Sequence, residues 1–556
     1  MASRDSRSAG PSRACLFATG LIAAWVALTC SARAGEITPT RVASDATDKT
    51  KLSAGELSRL IDSSLATAWS QEKRQPAPLA DDAQFLRRLS LDVVGKIPSV
   101  SEVRQFAEDP RPDKRVRKVD ELLGRGAFAA HFARVWRDLL LAGASNDNGA
   151  LAFAPQLETW LRLRFATNIP YDQMVRELLT DASSRGGDAM NNAPRRNVPS
   201  VQAYYQANES KPEMLAASTS RLFLGVQVQC AQCHDHPFAH WKQKEFWSFA
   251  ALFSPGENMM EGALASASTP TAPLTIKIPQ TEKVVEAAFL GGAKPTWARG
   301  DTRQTVLARW ITSDDNPLFA RAAVNRVWEH FFGRGFVFPV DNLDRTEPPV
   351  YPELFNTISR QFVLHDYDLH YVIRALAGTQ AYQATSARSK HEDDDDRHFA
   401  RIPVRRLSGD QLYDSIVQAT GFRESAPARQ NPFDFLNGGG GTRAQFLQKF
   451  ADQSVPKTEA ETSILQALSL MNGKMASDVT NLETSETLAA VLESPFLDNP
   501  GRIDTLYLAA LSRQPDKDEL KQMSDYVTAA GAANERAALA DVFWALLNSA
   551  EFLLNH

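Results

Sequence analysis

Two thiols and an imidazole stand together in Cys230-Ala231-Gln232-Cys233-His234, which continues as Asp235-His236-Pro237-Phe238. This is the spacing at which a c-type haem is attached. Thiols about one helical turn apart can each bond to a vinyl group of one haem, and the imidazole beside the second can ligate the iron. The chain has four cysteines. Cys15 and Cys30 lie in an export-type leader, so the mature chain keeps Cys230 and Cys233 alone. Cys230, Cys233 and His234 are therefore expected to form one cofactor site, with haem c the favoured occupant and His234 its axial ligand. Asp235 or a nearby carbonyl would accept the other ring N–H and set the tautomer.

Other chemistries use the same residues. A C-x-x-C pair in an oxidising compartment can be a local disulfide or a redox pair. Cys230, Cys233, His234 and His236, with His240 close by, offer the mixed sulfur and nitrogen set that suits zinc or iron. The His-Asp-His-Pro run can equally be a helix end whose histidines are satisfied locally. For a haem, the distal candidates are Met259, Met260 and His131; a Met opposite the His would raise the potential. His236 is too near His234 in sequence to reach the opposite face of the same iron.

A second group is Arg321, Arg326 and Arg334, with Asn325, Trp328 and His330 on the same strongly amphipathic stretch. Guanidinium forks at these places could clamp an anion such as a sulfated or carboxylated glycan. The competing role is to bridge packed helices through buried ion pairs. No Ser/His/Asp set or glycosidase pair can be assigned, so no catalytic residue is named. Gly438–Gly441 follows no strand and precedes no Lys-Ser/Thr, so it is no phosphate loop. The acidic run from Glu392 to Asp396 reads as an exposed loop.

The elements that position these residues are mostly helical. The chain has 556 residues, 43% apolar and 23% charged, with a net charge of −5. That is enough for two or three cores and carries no basic surface for nucleic acid. Residues 1–34 carry Arg4, Arg7 and Arg13, a short apolar run and Ala32-Arg33-Ala34, the features of a secretory signal cleaved after Ala34. No later stretch is apolar enough to span a bilayer. The mature protein is expected to be exported to the periplasm or cell surface.

Residues 35–54 read as a flexible lead-in, 55–262 as a cytochrome-like helical domain, 263–300 as a linker with a β segment, and 301–556 as a second helical domain. Apolar residues recur at spacings of three and four, as in Phe128, Phe132, Val135, Trp136 and Leu139. Gly95 closes one helix, Ser99 with Glu102 opens the next, and residues 213–229 predict a helix running into the cysteines. Period-two alternation is confined to Leu274–Ile278.

The chain resembles the exported two-domain proteins abundant in planctomycetes, in which the second planctomycete cytochrome domain precedes a PSD-type domain. The resemblance covers roughly residues 55–556. It rests on Phe85-Leu86-Arg87-Arg88-Leu89-Ser90-Leu91-Asp92, Gly95 to Pro98, His131, Trp136, Asp138, Asn168 to Asp172, and Cys230 to Phe238 with Trp241. In the second half it rests on Asn316 to Arg321, Asn325 to Trp328, Phe332 to Gly335, Arg405 to Leu407, Gln466 to Gly473 and the terminus through Asn555-His556. His240 departs from the family pattern, and there is no second haem motif. The resemblance implies haem-type chemistry by name only. Two roles stay open: a haem or redox protein serving a neighbouring exported enzyme, and a non-haem metal or structural module accessory to an exported polymer-degrading or hydrolytic system.

Overall fold

Every residue from Phe85 to Val94 in the helix Asp82–Val94 is buried, Arg87, Arg88 and Asp92 included. A computed structural model describes residues 49–142, 148–180, 198–237, 239–254, 274–344, 347–387, 396–422, 442–450, 481 and 484–556. From Lys51 onward the chain forms one compact unit. This helix is buried all round because two cores share it. Phe85, Leu86, Leu89 and Val93 enter a core built from residues between Leu57 and Ile402 together with Leu508. Leu91 turns the other way, with Ile97, into a core built otherwise from residues 407–552. Burial of this apolar surface is the main drive for assembly.

Three buried charges on one helix need partners. The Asp92 carboxylate accepts from Arg405 Nη2 at 3.0 and 2.9 Å, from Tyr382 Oη at 2.9 Å and from Asn555 Nδ2 at 2.8 Å. Arg87 donates to the carbonyls of Ala510 at 3.0 Å and Phe552 at 3.1 Å. Arg88 donates to those of Tyr382, Ala384 and His556 at 2.5, 2.8 and 3.3 Å. Burial pulls both guanidinium groups down to about 10. The C-terminal residues thus hold the middle of the first half together.

The fold is mostly α. Helices include Ala54–Gln71, Gly126–Leu140, Tyr171–Thr180, Pro212–Thr219, Gln243–Ala250, Pro317–Phe332, Pro352–Leu364, Gly409–Thr420, Asn499–Leu511 and Glu535–Leu547. Strand β1 (Thr275–Lys277) pairs antiparallel with β2 (Val284–Glu286), Ile276 opposite Val285. Strand β3 (Arg405–Arg406) pairs with β4 (Leu554–Asn555).

Local signals act as their chemistry requires. Asp81 accepts from Gln84 N–H at 2.8 Å and starts the central helix. Gly95 ends it at φ 77°, its N–H donating to Ser90 O. Ser99 and Glu102 form the reciprocal capping box.

Two helical stretches are interrupted. The helix predicted over 213–229 runs only from Pro212 to Thr219, widens into a π turn at Ser220–Leu224 and stops at Gly225, whose φ is 66°. A Cβ on Gly225 would sit 2.7 Å from Leu343, so the break serves a close approach of two chain segments. Near the end of the chain, Glu535–Leu547 is likewise separated from the short helix Ala550–Leu553. Ser549 accepts from Phe552 N–H at 3.2 Å and starts a new turn, after which Leu554 and Asn555 extend to meet β3.

Candidate functional site

The break at Gly225 delivers the cysteines into a short 3₁₀ turn, Gln229–Gln232. Ala231 faces the core with no exposed surface, which turns its neighbours outward. Cys230 and Cys233 are free thiols and both are exposed. His234 is exposed as well. The donors therefore sit on the surface of the fold.

The turn is pinned from behind by the helix Gln243–Ala250. Trp247 Nε1 donates to Gln232 O at 2.9 Å, and Gln243 Nε2 donates to Cys233 O at 2.8 Å. The Asp235 carboxylate accepts the Gln243 N–H at 2.9 Å and pairs with Lys242 at 3.3 Å. The Gln243 N–H and then Lys242 hold its carboxyl below the usual range. Trp241 Nε1 donates to Asp344, and His236 N–H donates to Trp241 O at 2.8 Å.

The two histidines have different states. His234 Nδ1 lies 2.7 Å from Asp235 O, a group that only accepts, so Nδ1 carries the proton and Nε2 keeps its lone pair. At His236 the order reverses. Nδ1 accepts the Ala239 N–H at 2.9 Å, which leaves Nε2 protonated in the neutral ring. His240 lies against Trp241 with ring centroids 4.1 Å apart and the planes tilted by 38°. Among the described residues no three His, Cys, Asp or Glu side chains converge to hold a metal ion.

The donor set fits a covalently attached haem: two unpaired exposed thiols and one imidazole with Nε2 available. Met259 and Met260 lie outside the described residues. His131 is 3% exposed and packs against Gly95 and His330, its ring 5.8 Å from that of His330. It lies at a junction of buried helices, while the cysteines lie at the surface.

The three arginines are not brought to one point. Arg321 lies over the Phe355 ring at 4.9 Å, and Arg334 over Phe338 at 4.4 Å. Arg321 and Arg326 are five residues apart on Pro317–Phe332, so they leave the helix about 140° apart. Arg326 is 8% exposed, and among the described residues no carboxylate pairs with either arginine. Ion pairs among the described residues therefore do not explain Arg321 or Arg326. Asn325 has a clear structural role: it donates to Val337 O at 2.9 Å and accepts Val337 N–H at 3.1 Å, fixing the following loop.

Sequence reasoning missed the groups that support these residues. Gln243 and Trp247 hold the cysteine turn, and Arg221 and Gln227 both meet Asp341. Gln227 Nε2 donates to Asp341 at 2.7 Å, and Arg221 lies 3.7 Å from the same carboxylate. Nothing local marks them, because Asp341 is over a hundred residues from its partners.

Comparison with curated proteins and with solved structures finds no match. Two family matches cover more than half of the chain: PSCyt2, a protein of unknown function (DUF1549), over residues 60–258, and PSD1, a protein of unknown function (DUF1553), over residues 303–434. The chain belongs to the family in which a PSCyt2 domain is followed by a PSD1 domain.

Proposed function

We propose that this is an exported haem c protein, with the haem held by thioethers from Cys230 and Cys233 and by His234 Nε2, acting in electron transfer or as a redox accessory to a neighbouring exported enzyme. The observation that carries this reading is the pairing of two free, exposed thiols with an imidazole whose Nδ1–H is donated to the Asp235 carbonyl. A haem bound here would supply one-electron chemistry. The chain's own part is to hold the turn rigid through Gln243 and Trp247 and to keep His234 in the ligating tautomer. Surface donors also suit exchange of electrons with another protein. His236 is a poorer ligand because Nδ1 is engaged and Nε2 is protonated.

The test is expression with export and the haem-attachment machinery present. The purified chain should show a Soret band and a mass increase on the Cys230–Cys233 peptide. Cys233→Ser should leave at most one thioether, and His234→Ala should lose the normal spectrum. Stoichiometric zinc or iron without haem would make the site a metal centre. A Cys230–Cys233 disulfide with neither would make it a thiol redox or structural pair.

A further inference from the structure

The loop that carries the cysteines is closed from the other half of the chain. Gln227 Nε2 donates to Asp341 at 2.7 Å just before it, and Trp241 Nε1 donates to the Asp344 carboxylate just after it. Between these two ties, Leu343 N–H donates to Gly225 O at 2.7 Å, and the Leu343 side chain fills the space that a Cβ on Gly225 would need. Asp341 and Asp344 are three residues apart, a span of at most about 11 Å. One short segment therefore gathers both ends of the stretch 228–240, which holds Cys230, Cys233, His234, His236 and His240. The stretch lies within the PSCyt2 match and the segment that closes it within the PSD1 match.

The closing segment is itself fixed. Asn325 has no exposed surface; it donates to Val337 O at 2.9 Å and Val340 O at 3.2 Å and accepts the Val337 N–H at 3.1 Å. Breaking such a buried set leaves its polar groups unpaired, so the segment is a firm seat. The contact with Trp241 is equally committed. Trp241 is 5% exposed, and a buried indole N–H needs an acceptor. The Trp241 carbonyl accepts the His236 N–H at 2.8 Å, which carries the tie into the loop.

We infer that Asp344 is a positioning residue of the cofactor loop. By accepting from Trp241 it closes the loop onto the segment Val337–Asp344, while Asp341 ties the other end. The second half of the chain thus supplies the shape in which the first half presents Cys230, Cys233 and His234. The inference rests on the reading of this turn as the cofactor site. Closure of this kind removes in advance the freedom that the three donors would otherwise lose on binding. The geometry asks Asp344 for an acceptor oxygen, which an amide also supplies.

The experiment is hydrogen exchange read by mass spectrometry on the full chain, with wild type, Asp344→Ala and Asp344→Asn side by side. The N–H groups of Ala231, His236, Ala239 and Gln243 are bonded and report the loop. In Asp344→Ala, peptides covering 228–243 should exchange about tenfold or more faster, while those of the central helix Asp82–Val94 keep the wild-type rate. Asp344→Asn should restore the loop. In a wild type that carries haem, the acid midpoint at which His234 leaves the iron should rise by about one pH unit in Asp344→Ala, because a tenfold weaker hold yields to protonation that much sooner, and should return in Asp344→Asn. A wild type without haem overturns the haem reading and leaves the exchange rates to decide this inference. Unchanged loop exchange overturns it, as do equal acceleration in the central helix, an unmoved acid midpoint in a haem-bearing chain, and an Asp344→Asn chain that behaves as Asp344→Ala. Should Asp344→Ala fail to fold, Trp241→Phe, which keeps a ring and loses the donor, decides in its place.

Discussion

Nδ1 of His234 lies 2.7 Å from the carbonyl oxygen of Asp235. The bond is made by backbone, so no side-chain substitution at Asp235 removes it directly. It depends on the path of the turn, and the path depends on the helix behind it.

Replacing the residues that hold that path should loosen the cysteines. Trp247 is 2% exposed and donates to Gln232 O. Trp247→Phe should cost about 0.5–1.5 kcal/mol by removing the shorter of the two hydrogen bonds to that carbonyl, the other coming from Gln243 Nε2 at 3.3 Å. Gln243→Ala should cost about 0.5–1.5 kcal/mol. Urea unfolding gives the free energies. Faster labelling of Cys230 and Cys233 by a thiol reagent in the folded variant would report the loosened turn, and unchanged rates would mean that the turn holds without these bonds.

Asp92→Asn should destabilise the chain strongly. The carboxylate and Arg405 are 2% and 7% exposed, so the substitution leaves a buried guanidinium without its counter-charge. The expected loss is about 3–5 kcal/mol. Deleting Leu554–His556 removes the Asn555 contact, the His556 carbonyl that Arg88 uses and the pairing with β3. The truncated chain should melt well below the full one in calorimetry; equal melting temperatures would show that the tail is dispensable.

Gly95→Ala should be poorly tolerated. A Cβ there would lie 2.4 Å from His131 Nδ1, and the backbone sits at φ 77°. The left-handed conformation alone costs a non-glycine residue about 1–2 kcal/mol. A double variant with His131→Ala separates the two causes: recovery of part of the loss identifies the clash, and no recovery assigns all of it to the backbone.

His370 links stability to pH. Burial holds its imidazole below the ordinary 6.5, with Asp368 opposing. The unfolded chain therefore binds a proton at a pH where the folded chain does not. The stabilisation is present above about pH 6.5 and is lost as the pH falls through the depressed folded value. His370→Phe should flatten this part of the profile in melts between pH 8 and 5. A wild-type curve and a variant curve of the same slope would remove His370 as the cause.

The helical class, the capping box at Ser99 and Glu102 and the exit at Gly95 were legible in the sequence because each is set within a few residues, by period, by a side-chain oxygen or by a missing Cβ. The cysteine motif was legible for the same reason, since its two thiols and imidazole are neighbours in the chain. The charged residues of the central helix were not. Arg87, Arg88 and Asp92 look like a solvated face until carbonyls and side chains from residues 382 to 556 close over them. The break at Gly225 was also hidden, because it answers to Leu343, more than a hundred positions away. The arginines followed the same rule. Their type and helix could be read locally, but the sequence could not say that Arg326 would be buried, or that Arg321 would lie on an aromatic ring. What depends on neighbouring residues was determined by the sequence alone. What depends on which distant group excludes water from a charge was decided only when the chain packed.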